Sequence, residues 1–167
     1  MSRRKKNSHV IGNASAPKES LLASLLNTSP SVGYSCKVNG DCGMIAVTEN
    51  VREHLGYGPE EFLGDPGFWA LHIHAADSLR VFDEMPVLFE AGKETMEYRF
   101  LHADGRYVWL RDEMQLKLDA AGQPDRIMGC WTDVTGLKLA AASAAQLMSN
   151  PGNGTTETKG EGYANQT

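Results

Sequence analysis

The 167-residue chain has no long apolar run. Nothing in it approaches the ~20 apolar residues that span a bilayer, so no membrane partner is expected. The basic start, Arg3-Arg4-Lys5-Lys6, is not followed by an apolar stretch and does not read as a secretory signal. Cysteine is scarce. Cys36, Cys42 and Cys130 are odd in number and irregular in spacing. They exclude a disulfide framework and fit a reducing cytoplasm, the expected localisation. Cys36 and Cys130 lie in apolar, strand-like runs and are expected as small core residues. An excess of positive charge is also missing. The 16 Lys and Arg face 21 Asp and Glu, a net charge of −5 that argues against a nucleic-acid partner. No nucleophile–base pair, phosphate loop or carboxylate dyad stands out. Glu60-Glu61 and Asp83-Glu84 are neighbours on helical stretches, so their side chains diverge.

What is present is ordinary globular composition, 41% hydrophobic and 22% charged, enough for one domain. Residues 1–16 are polar and basic and are expected to be disordered. Residues 17–30 hold a short cap helix, "PKESLLASLL", with Leu21, Leu22, Leu25 and Leu26 on one face. Such a helix needs a surface to lie on. "VGYSCKV" and "GMIAVT" read as two strands joined at Asn39-Gly40, a hairpin signal. Val51 and Leu55 share a helical face that Gly56 ends, and Pro59 to Gly64 is a second short helix. "PGFWALHIH" is another short piece. "AADSLRVFDEMPVLFEAG" is the longest internal helix, with Phe82, Met85 and Phe89 on one face; Pro86 is expected to kink or shorten it.

The second half changes period. Met96, Tyr98 and Phe100 alternate with charged residues, and Asp104-Gly105 makes a hairpin turn. Val108, Leu110, Met114, Leu116 and Leu118 form one face of the next strand; Tyr107 and Trp109 stand on the other, a candidate cap or dimer surface. "RIMGCWTDVT" is the last strand. Three long strands after grouped helices imply an α+β fold with an antiparallel sheet. An outgoing helix over 139–148 follows, expected to stop at Asn150-Pro151-Gly152, with a flexible tail over 149–167.

Several segments in order resemble the PAS sensor family, from about Val32 to Lys138. Asn50 with Leu55-Gly56-Tyr57 and Glu60-Glu61-Phe62-Leu63-Gly64 matches one family segment. Trp69, Ile73-His74 and Asp77 match a second, although Ala75 and Ala76 stand where Pro and Asp are usual. Glu97-Tyr98-Arg99, Asp104-Gly105 and Trp109 match a third, and Gly129 with Asp133-Val134-Thr135 the closing one. The resemblance implies a PAS domain over 31–138, a five-stranded antiparallel sheet with small helices on one face. It implies sensing or protein interaction in signal transduction, not catalysis. It also implies that Asp133 and Thr135 couple the last strand to the outgoing helix, as signal-output residues. Asp and Thr suit such a junction because their side chains bond nearby backbone N–H groups.

His72 and His74 form an H-x-H and are the weak candidates for cofactor binding. Haem-binding relatives take their iron ligand from the long helix or its approach, and Ser78 to Ala91 contains no histidine. The asparagine-cysteine-arginine signature of flavin photoreceptors is absent, so the residues favour neither haem nor flavin and no metal set is assigned. The cofactor is left unknown. The expectation is therefore a sensor or regulatory module acting through ligand sensing or dimerisation, with a signalling protein partner or fused output domain. Two alternatives stand beside it: the input domain of a larger histidine kinase or diguanylate cyclase/phosphodiesterase, and a small metal-dependent enzyme using His72 and His74.

Overall fold

The computed structural model describes residues 18–40 and 42–149. The disorder expected for 1–16, the stop at Asn150-Pro151-Gly152 and the tail beyond it lie outside the described residues. The chain divides into two compact units after Val134.

The first part begins with helix α1 (Lys18–Asn27). Strands β1 (Ser31–Lys37) and β2 (Met44–Val47) follow as an antiparallel pair. Three short helices come next: α2 (Val51–Leu55), α3 (Pro59–Gly64) and α4 (Phe68–His72). The long α5 (Ala75–Ala91) leads into β3 (Lys93–Leu101), β4 (Tyr107–Leu118) and β5 (Pro124–Asp133). The five strands form one antiparallel sheet in the order β2-β1-β5-β4-β3. The first and last strands of the domain are thus central neighbours, and β5 sits mid-sheet between β1 and β4.

The period-two pattern sets the faces. Val108, Leu110 and Met114 of β4, with Met96, Tyr98 and Phe100 of β3, are buried toward the helices. Val51, Leu55, Phe62, Val81 and Leu88 fill the core from the helical side. The termini of the short helices are set by local chemistry. Gly56 ends α2 at φ 79°, and a Cβ there would meet Ala103 at 2.7 Å, so the hairpin packs where only glycine fits. The Glu61 carboxylate accepts the Gly58 N–H at the start of α3.

Three expectations are corrected. Pro86 does not shorten α5, which runs on to Ala91. Val81 and Leu88, fully buried on either side of it, hold the helix to the sheet against the lost backbone bond. Cys130 is not a core residue. It lies on the outer face, its Sγ 3.9 Å from the Glu113 carboxylate, because the inward positions of β5 are Ile127, Gly129 and Trp131. Leu118 leaves the apolar face of β4 and is exposed, since the register shifts between Lys117 and Leu118.

The second part is helix α6 (Thr135–Ser149), separated from the end of β5 by Val134 alone. Among the described residues, no helix is long and apolar enough to cross a membrane.

Candidate functional site

A cavity of about 480 Å³ lies between the inner face of the sheet and the helices. Tyr34, Met114, Ile127 and Trp131 line it from the sheet, and Cys36, Val38 and Met44 from the β1–β2 hairpin. Trp69 and Ala70 of α4 and Phe82, Met85 and Phe89 of α5 line it from the helical side. The face predicted for Phe82, Met85 and Phe89 therefore forms a wall of this cavity. Phe82 and Phe89 keep nearly half of their surface exposed, so the cavity opens to solvent beside α5.

Behind the sheet-side wall lies a carboxylate that the sequence reading passed over. Asp112 occupies the inward position between Leu110 and Met114 and is 1% exposed. Its two oxygens accept hydrogen bonds from the phenols of Tyr34, at 2.8 Å, and Tyr98, at 2.9 Å. The Trp69 indole N–H donates to the Tyr98 hydroxyl at 2.9 Å. A polar chain thus runs Trp69–Tyr98–Asp112–Tyr34, and both of its ends line the cavity. Burial pushes the Asp112 carboxyl up to about 6, against the lowering effect of the two phenols and of the nearby Trp131 N–H. That indole N–H is itself buried and makes no well-formed hydrogen bond among the described residues. Burial, then the Asp112 charge, raises both phenols well above their usual range. The Cys36 thiol is pushed up to about 12 by burial, with smaller contributions from Asp112 and Cys42. It stays protonated and unreactive at neutral pH.

Glycine makes room for this arrangement. Tyr34 stacks on Trp131 with ring centroids 4.4 Å apart, and the phenol crosses Gly129, the residue paired with Tyr34 across the strands. A Cβ on Gly129 would sit 2.5 Å from the Tyr34 Cζ and hydroxyl.

His72 and His74 do not converge. His72 belongs to an aromatic cluster, stacked on Phe68 at 4.0 Å and near Tyr57 and Phe100, with Nδ1 2.6 Å from the Phe68 carbonyl. His74 caps α5: its Nδ1 accepts the Ala76 N–H, and its ring contacts Tyr107. The absence of the usual Pro and Asp after it leaves this cap intact. Among the described residues no group of three or more His, Cys, Asp or Glu is placed to hold a metal ion. Asp77, of the same segment, accepts three hydrogen bonds from Arg99. Those bonds hold its carboxyl down at about 2, so this stabilisation is in place above the ordinary carboxylate range and fades as pH falls toward 2. Arg99 in turn lies 5.4 Å over the Trp109 ring.

The outer face carries Tyr107, 45% exposed, with Trp109 half-buried; Met128, also exposed, lies farther along the sheet, opposite Gln115. Leu21, Leu22, Leu25 and Leu26 are 44–66% exposed, so within a single chain α1 does not bury its leucine face on the sheet. Asp133 ends β5, Thr135 opens α6, and Val134 between them is buried and bonds through its N–H to the Trp109 carbonyl at 2.8 Å.

Comparisons with known proteins agree with this architecture. The family described as PAS fold matches residues 44–130. The two-component sensor PprA of Pseudomonas aeruginosa is 35% identical over 128 residues, 75% of this chain and 13% of that protein. The chain therefore spans a small part of that relative's length. The N-terminal domain of a diguanylate cyclase with PAS/PAC sensor from Marinobacter aquaeolei superposes with a TM-score of 0.57 at 23% identity, covering 63% of this chain and 95% of that one. A sensory box histidine kinase/response regulator structure from Burkholderia thailandensis gives 0.61 at 20% identity, covering 81% and 98%.

Proposed function

The chain belongs to the PAS fold family, and from that membership we propose that it is a sensor module whose cavity state is passed to α6 through the end of β5. One observation carries the reading. Trp131, a wall of the cavity, lies only two residues before Asp133 and four before Thr135, where α6 begins. Strand β5 is flanked by β1 and β4, so a shift of its inner residues is confined to the strand's own length. The Val134 N–H bond to the Trp109 carbonyl ties that end to β4. Asp133 and Thr135 are the output residues in this scheme. The catalytic output belongs to a partner protein or a fused domain, with a histidine kinase or a diguanylate cyclase as the two candidates.

Ala70→Phe places a ring in the cavity from α4. It is expected to change amide exchange of residues 135–147, and Asp133→Ala and Thr135→Ala should raise exchange there while the sheet stays protected. Hydrogen exchange with mass analysis decides it. Unchanged protection of 135–147 in all three variants would remove the coupling role.

A homodimer is part of the proposal, because apolar surfaces remain open on the single chain, among them the leucine face of α1 and the outer sheet face around Tyr107 and Trp109. Burying such aromatics and leucines is worth ~1.5–3 kcal/mol per side chain. Deleting residues 1–28 should shift the sedimentation profile from dimer toward monomer. A profile unaffected by the deletion, or a monomeric parent, would rule this assembly out.

A further inference from the structure

The chemistry of the cavity wall narrows what it can hold. Its volume of about 480 Å³ is within the range of roughly 300–1,000 Å³ typical of small-molecule sites. Rings stand on both sides of it. The stacked Tyr34 and Trp131 form the sheet side, and Trp69, in edge contact with Phe82, forms the helical side. The methionines Met44, Met85 and Met114 line the cavity as well. Rings and thioethers favour an aromatic guest, through edge-to-face packing and sulfur–ring contacts.

Charge is disfavoured inside. Among the described residues no carboxylate lines the wall, and the cation among them, Lys37, belongs to the exposed end of β1. Asp112 sits behind Tyr34 with both oxygens already engaged by phenols. It offers no free acceptor to a cationic guest, and its negative charge opposes an anionic one. Burying an unpaired charge in such a wall is costly.

Resting on the sensor reading above, we infer that the cavity binds an uncharged aromatic small molecule of one or two rings. The guest lies between Trp131 and Trp69. These two residues are joined through Tyr98 and Asp112, by the Trp69–Tyr98 and Tyr98–Asp112 hydrogen bonds and the packing of Trp131 beside them. Occupancy therefore bears on the strand that leads to Asp133.

The test uses the full chain and four probes: indole and 1-naphthol as neutral aromatics, indole-3-acetate as a charged one, and 1-octanol as a neutral aliphatic. Calorimetric titration is expected to show indole and 1-naphthol binding with dissociation constants about tenfold or more below those of the other two probes. Their binding should be lost in Ala70→Phe, whose own thermal stability shows that it folds. Tighter binding of 1-octanol or indole-3-acetate would overturn the aromatic, uncharged assignment while leaving a ligand-sensing cavity in place. No binding by any probe would overturn the inference. Indole binding with no change in exchange of residues 135–147 would uphold the inference and reject the output route instead.

Discussion

Asp112→Asn is expected to flatten the pH dependence of stability between about pH 4 and pH 6. In the native chain the Asp112 carboxyl holds its proton up to about 6, against an ordinary value of 3.8. As pH rises through this window, the unfolded chain ionises first and binds fewer protons than the native one. Stability then falls with pH, by about 3 kcal/mol once both states are ionised. The direction is opposite to that of Asp77, whose Arg99 partner lowers its carboxyl and makes acid the destabilising condition. Asparagine keeps an acceptor and a similar shape, so the variant should fold with a flat profile across the window and match or exceed the parent at pH 7.5. Asp112→Ala is a different case. It leaves two buried phenols without their acceptor and is expected to cost about 2–4 kcal/mol at pH 5. Urea unfolding of parent and variants from pH 4 to pH 8 measures both effects. Superimposable pH profiles for parent and Asp112→Asn would mean that this carboxylate does not titrate in the native range.

Gly129→Ala is expected to cost about 2–4 kcal/mol and to reshape the cavity. One methyl group is an unusually small change for such an effect. Its neighbour decides the cost: the new Cβ would lie 2.5 Å from the Tyr34 ring and hydroxyl. Tyr34 cannot swing aside without breaking its bond to Asp112 and its stack on Trp131. The ring that moves is also a wall of the cavity, so binding of the indole probe should weaken together with stability. A double-mutant cycle isolates the cause. In a Tyr34→Ala background the penalty of Gly129→Ala should fall to within about 0.5 kcal/mol of zero. An equal penalty in both backgrounds would place the role of Gly129 in the backbone of β5 and not in its contact with Tyr34.

The helix and strand assignments were legible because each rests on local signals. Gly56 and Gly92 end helices at positive φ, and the alternation in β3 and β4 marks which residues turn inward. The misreadings have different causes. Cys130 reads as core by hydrophobicity, whereas its phase within β5 turns it outward; Leu118 is in phase with the inner face of β4, and a register shift near the strand's end exposes it. Asp112 was passed over for the converse reason. Its position is in phase with Leu110 and Met114, and a carboxylate at an inward position is the signal that would have found it. Its partners Tyr34 and Tyr98 lie 78 and 14 residues away, and no local pattern links them.

The amino-acid order by itself determined the α+β class, the antiparallel sheet and the family, because turn glycines and apolar periodicity act over a few residues at a time. It also determined that the strand ending at Asp133 hands over to a helix, since Thr135 and the alanine-rich run act locally. Only the tertiary structure decided what the inner face holds. Pairing β5 between β1 and β4 brings Tyr34, Gly129, Trp131 and Asp112 together. Closing α4 and α5 over them leaves an aromatic cavity beside the packed core. Those contacts are decided by how side chains distant in the chain fill one shared volume, a property that no short stretch of the chain carries.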